Sequence, residues 1–169
     1  MLDFPDVPSA FPTSRRMTPA GTPFVIHEHV RWGDVDYAGI IRYDAYSRFM
    51  ELGESELFRE LGISQREFGQ RFDFSMPRRV MHLDFESPPT LDERLEVVTY
   101  ISKVGRTSLT LNFDFYGDGG ALRATGYLVL VCVHTGVMQS RPWPDDFLAI
   151  IGPRRVPVDD ARRGRNAAV

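Results

Sequence analysis

Hydrophobic and polar positions change period twice along this chain. Over residues 24–32, Phe24, Ile26, Val30 and Trp32 alternate with Val25, His27, His29 and Arg31, the two-residue period of a strand whose faces differ. From Tyr46 onward the period becomes helical. Phe49, Met50, Gly53, Leu57 and Leu61 fall on one side, while Arg48, Glu51, Glu56, Arg59 and Glu60 take the other. Ser64, with Glu67 three residues later, marks the start of a second, shorter helix. Beyond Pro77 the pattern predicts strands over 79–85, 91–104, 107–116 and 121–134. Their breaks fall at Ser87-Pro88-Pro89, at Gly105 and at Gly117-Asp118-Gly119-Gly120, the last a hairpin signal. Residues 127–133 are apolar at nearly every position, which predicts burial on both faces. An Asp and Pro start followed by apolar residues predicts a short packed helix over 143–151. The sum is an α+β chain in which one long helix lays its apolar stripe on an antiparallel meander.

Composition sets the boundaries of that domain. With 169 residues, 43% of them hydrophobic, the chain is the size of one domain with a sizeable core. Residues 1–22 carry Pro5, Pro8, Pro12 and Pro19 among Ser, Thr and Gly, and are expected to form an extended N-terminal arm. The domain itself is placed at 23–152. Residues 153–169 hold Arg154, Arg155, Arg162, Arg163 and Arg165 between Pro, Asp and Gly, and are expected to be a solvated tail or a phosphate contact. A net charge of -3 gives no basis for binding nucleic acid. No run is long and apolar enough to span a membrane, and the start lacks the order of a secretory signal, so the cytoplasm is the expected location. Lys103 is the one lysine, so any anion site must use guanidinium groups. Cys132 is the single cysteine; it lies in an apolar run and reads as a buried strand residue, with no zinc cluster to join.

Chemistry concentrates where the first strand runs into the long helix. Asp34 and Asp36 sit between Gly33 and Gly39, just upstream of a helix start, where unpaired N–H groups and a partial positive charge face any carbonyl placed there. A lone Asp at such a place is ordinarily a cap, but a pair allows one carboxylate to brace the loop and the other to face a ligand. A calcium loop fails, because its later ligand positions are Ala38 and Ala45. His27 and His29 share the outward side of their strand. Glu51 and Glu54 read as part of a solvated helix face, with catalysis as the alternative for either.

The run Gly33-Asp34-Val35-Asp36-Tyr37-Ala38-Gly39-Ile40-Ile41-Arg42-Tyr43-Asp44-Ala45-Tyr46 resembles the signature of hotdog-fold acyl-CoA thioesterases of the 4-hydroxybenzoyl-CoA thioesterase type and their relatives of the bacterial Tol-Pal cluster. Similarity continues through residues 85–95 and Val104-Gly105-Arg106-Thr107-Ser108. Tyr37, Arg42 and Asp44-Ala45 depart from that pattern, close to where the acyl group would lie.

The resemblance implies a hotdog fold, with the sheet wrapped around the long helix. It implies Asp36 as the catalytic carboxylate, acting as nucleophile or general base, and the backbone N–H of Tyr43 as the group that polarises the thioester. Asp34 and Gly39 are expected to brace the loop, and Arg106 with Ser108 to contact coenzyme A. The substrate would be a small aromatic or short-chain acyl-CoA, with no separate cofactor and no metal. Homodimers or homotetramers with shared active sites are expected as well. Two other readings differ: a hotdog protein that binds acyl-CoA or acyl carrier protein without hydrolysing it, and a dehydratase, for which His82 and His134 lie too late in the chain.

Overall fold

The longest helical pattern folds as α1 (Tyr46–Glu60), and its buried residues Tyr46, Phe49, Met50, Gly53, Glu54, Leu57 and Phe58 repeat at the three- and four-residue steps that put them on one face. The computed structural model describes residues 18–166, with side chains as far as 163. Before α1 comes β1 (Phe24–His29), and after it α2 (Gln65–Phe72), β2 (Phe74–Ser75), β3 (Arg78–Phe85), β4 (Arg94–Val104), β5 (Ser108–Tyr116), β6 (Leu122–Val131), β7 (Val133–His134), α3 (Asp145–Ile151) and α4 (Val158–Asn166). Five strands make one antiparallel sheet in the order β1-β4-β5-β6-β3, and β2 pairs with β7 apart from it.

Helix α1 lies across β1, β4 and β5, and it sits close there because residue 53 has no side chain. A Cβ on Gly53 would overlap Thr99 Oγ1 of β4. Beneath the helix, Val97, Leu111, Phe113, Phe115, Ala124 and Leu128 form the core's sheet layer. A second, aromatic group closes the far end: Phe74 and Phe147 stack edge-on at 4.9 Å, with Phe58, Phe68, Phe72 and Trp143 around them. Ser64 donates its N–H to Glu67 at 2.6 Å, the expected start of α2. The Gly117–Gly120 turn joins β5 to β6 as a hairpin, with Gly119 and Gly120 both at positive φ.

Several expectations need correction. The first strand ends at His29, and residues 32–34 form a 3-10 turn because Asp34 reaches back to the Arg31 N–H. The last long strand is not buried on both faces: Ala124, Gly126, Leu128 and Leu130 are buried, while Thr125, Tyr127, Val129 and Val131 stay half-exposed on the outer side. The segment after 153 is no solvated tail over its described part. Val156 donates its N–H to Ile101 at 2.8 Å, and α4 lies over the outer face, where Val156 and Ala161 cover Val98 and Tyr100. Arg162 grips Asp114, itself 1% exposed, at 2.8 Å, and the Tyr100 hydroxyl donates to the same carboxylate at 3.1 Å. Of the expected N-terminal arm, residues 1–17 lie outside the described residues. Thr18 is held by Glu60 and by Arg154.

Candidate active site

Between β1 and α1 the chain folds back on itself twice, and each reversal is fixed by a different aspartate. Asp34 is buried, and its carboxylate accepts the Arg31 N–H at 2.8 Å and the Arg48 Nε–H of α1 at 2.9 Å. Burial alone would raise its pKa; the Arg48 bond, the Arg31 N–H and the charges of both arginines outweigh it and hold the carboxyl below its ordinary range. Asp34 thus ties the loop to the helix.

Asp36 stands at the tip of the second reversal. A bridge from Val35 to Ile41 closes a short loop, the Gly39 N–H bonds the Asp36 carbonyl at 3.0 Å, and Gly39 takes the positive φ that the turn requires. Asp36 is exposed, and its Oδ1 accepts the Ala38 N–H at 2.8 Å. Only one carboxylate oxygen is used in holding the turn, which leaves the other open to a ligand. Among the described residues, the cavities beside Tyr43, Glu54 and β1 are not lined by Asp36.

Tyr43 opens the 3-10 turn that leads into α1. As its first residue it has no intrahelical acceptor for its N–H, and no loop hydrogen bond among the described residues takes it. Tyr43 also lines an open cavity of about 250 Å³, together with Ile41, Tyr46, Phe85 and the Glu86–Pro88 turn. A developing negative oxygen placed there would meet a free donor backed by the positive end of the helix.

Arg106 and Ser108 are not brought to this place. They lie in the β4–β5 turn, where Ser108 pairs with Val131, whereas Tyr46 packs on Phe115 and Phe85 at the opposite end of the sheet. At about 3.3 Å per residue the two ends are roughly 25 Å apart within one chain. The Ser108 carbonyl is occupied by the Gly105 N–H and the Trp143 indole.

Glu54 also departs from expectation. It is 2% exposed rather than solvated, and Arg78 of β3 bonds it at 2.8 Å beside a cleft of about 390 Å³. Burial pushes its pKa up, with Arg78 opposing and Glu51 adding to the rise. Tyr46 was hidden in the sequence by its regular place in the apolar stripe; its one distinguishing mark was a hydroxyl among hydrocarbons.

Known proteins resemble this chain in sequence and in fold. The model of the thioesterase-like superfamily matches residues 30–151. An acyl-CoA thioester hydrolase named YbgC, from Escherichia coli, is 27% identical over 121 residues, covering 71% of this chain and 89% of the relative. Among solved structures, a thioesterase-superfamily protein from Jannaschia superposes with a TM-score of 0.72 at 26% identity, covering 79% of this chain and 93% of its own. A 1,4-dihydroxy-2-naphthoyl-CoA thioesterase from Synechocystis does so with a TM-score of 0.71 at 18% identity, covering 77% and 96%. The fold they share with this chain is the hotdog arrangement of five antiparallel strands and a long helix. Among the described residues, no helix is long and apolar enough to cross a membrane.

Proposed function

Because the chain belongs to the thioesterase-like superfamily, we propose that it hydrolyses the thioester of a small aromatic or short-chain acyl-CoA, with Asp36 as the working carboxylate. The observation that carries this reading is Tyr43, whose N–H has no acceptor among the described residues and which lines a cavity beside Tyr46, the first residue of α1, a short turn beyond Asp36. In the reaction the carbonyl oxygen takes up negative charge against that amide and the helix end. Asp36 either activates water or attacks the carbonyl carbon itself, and water then opens the resulting anhydride. In both routes the carbon–sulfur bond breaks, water supplies the new acid oxygen, and its proton goes to the departing thiolate. The coenzyme A is part of the substrate, and no separate cofactor enters the scheme.

A second copy of the chain would complete the site. Strand β3 is paired with β6 on one edge and with no described residue on the other, and its Met81 and Phe85 are 49% and 51% exposed although both are large and apolar. Two such edges joined antiparallel make a homodimer. A two-fold axis there sets the Phe85 end of one sheet beside the Arg78 end of the other. It would thereby carry Arg106 of the partner subunit, with the Ser108 turn, toward the Asp36 loop, where a guanidinium suits the phosphates of coenzyme A.

The deciding experiment mixes the purified protein with a panel of acyl-CoAs and a thiol reagent. Free thiol is expected at a catalytic rate. Asp36→Asn keeps an oxygen to accept the Ala38 N–H, so the turn survives while turnover falls by about 10²- to 10⁴-fold. Full activity in that variant removes Asp36 from the mechanism. Tight binding with no thiol release from the wild-type protein would instead favour a non-catalytic carrier of acyl-CoA or acyl carrier protein.

A further inference from the structure

We infer that the Tyr46 hydroxyl is a specificity-determining group of this cavity, selecting acyl groups that carry an oxygen substituent over hydrocarbons of the same shape. The inference rests on the reading above, in which the cavity beside Tyr43 receives the acyl group.

Four observations converge on this residue. Tyr46 is 2% exposed, and its ring is held at 5.2 Å from both Phe85 and Phe115, so the hydroxyl has little freedom to turn away. Among the described residues that hydroxyl makes no hydrogen bond, although a buried tyrosine ordinarily finds one. Nor is it sealed in the core. Among the described residues the fully enclosed side-chain atoms without a partner are Thr99 Oγ1 and Asn112 Oδ1, and Tyr46 is one of the residues that line the cavity. The neighbouring polar group is already committed: Ser87 Oγ donates to the Leu122 carbonyl at 3.3 Å and accepts from Arg123 at 3.0 Å. Glu86 and Tyr43 are exposed at the cavity, and Ile41, Phe85 and Pro88 supply its apolar walls.

The ionisation state fixes the direction of the bond. Burial first, and then the Glu93 carboxylate, push the Tyr46 hydroxyl up to about 12 against the opposing charge of Arg123, so it stays protonated and donates. An oxygen on the acyl group would accept that proton. A hydrocarbon would cover the hydroxyl and strip its remaining water, and a site built around a donor in this way rejects the analogue that lacks the acceptor.

The test compares kcat/KM within pairs of one skeleton: 2-, 3- and 4-hydroxybenzoyl-CoA against benzoyl-CoA, and 3-hydroxybutyryl-CoA against butyryl-CoA. At least one pair is expected to favour the oxygenated member by about tenfold or more. Tyr46→Phe, which keeps the ring contacts, should reduce that preference to within about threefold with Tm unchanged. A preference that survives in Tyr46→Phe, its absence from every pair in the wild type, or an equal loss on both members overturns the inference. Hydrolysis with unaltered selectivity sinks this inference alone, whereas no thiol from any acyl-CoA sinks the underlying reading and this with it.

Discussion

Two aspartates separated by one residue have been given opposite surroundings, and pH should tell them apart. Asp34 is buried against Arg48 and its carboxyl is held below the ordinary 3.8. A depressed carboxylate contributes stability that is fully present above its unfolded value and is lost as pH falls through the folded value. Asp34→Asn is therefore expected to be less stable than the wild type at neutral pH by on the order of 2 kcal/mol. The gap should narrow below about pH 4, as read from thermal melts over an acid series. Asp36, exposed and bonded to a backbone N–H that Asn also satisfies, should show no such gap. The sequence revealed the pair and allowed that one member braces the loop while the other faces a ligand. It did not reveal Arg48 as the brace, because a cation fourteen residues away is a neighbour only once the loop has folded back. Glu54 was misread for the same reason: its place at the margin of the apolar stripe looked solvated until Arg78 arrived from β3.

Whole elements were legible where local chemistry decides them. Alternation, the Pro and Gly breaks and the box formed by Ser64 and Glu67 give the strands and first two helices within a few residues. Helix α4 was not legible, since Val158 and Ala161 are its few apolar residues and its attachment is made by Arg162 to a carboxylate 48 positions earlier. The contact between α1 and β4 is likewise a matter of close approach rather than pattern. Gly53→Ala should place a methyl group against Thr99 Oγ1 and destabilise the fold by about 1–3 kcal/mol, lowering Tm by about 2–4 °C for each. Thr99→Ala removes an oxygen that has no partner among the described residues. The double variant should recover most of the loss, and additive losses in the cycle would show that the two positions do not meet.

At the scale of the molecule, the half-exposed outer row of β6 and the apolar surface of β3 describe a sheet that ends too early. The apolar run over 127–133 was read as burial on two faces, and a single chain supplies only one. Met81→Lys puts a charge on an edge strand that is unpaired among the described residues, and is expected to convert the proposed dimer to a monomer in sedimentation or light scattering, with circular dichroism unchanged. Hydrolysis should fall together with the dimer if Arg106 of the partner subunit serves the site. A monomeric wild type with full activity would remove the shared site.

Covering the outer face by α4 also has a consequence during synthesis. Arg162 lies 48 positions after Asp114 in the chain, so the carboxylate and its apolar surroundings are made before the residue that pairs with them. Until release, a nascent sheet would carry an uncompensated carboxylate on a bare apolar patch, the kind of surface that chaperones recognise. Removing the segment from residue 153 onward would expose that surface permanently, with the loop from Asp34 to Tyr46 untouched, and is expected to leave a protein prone to aggregate.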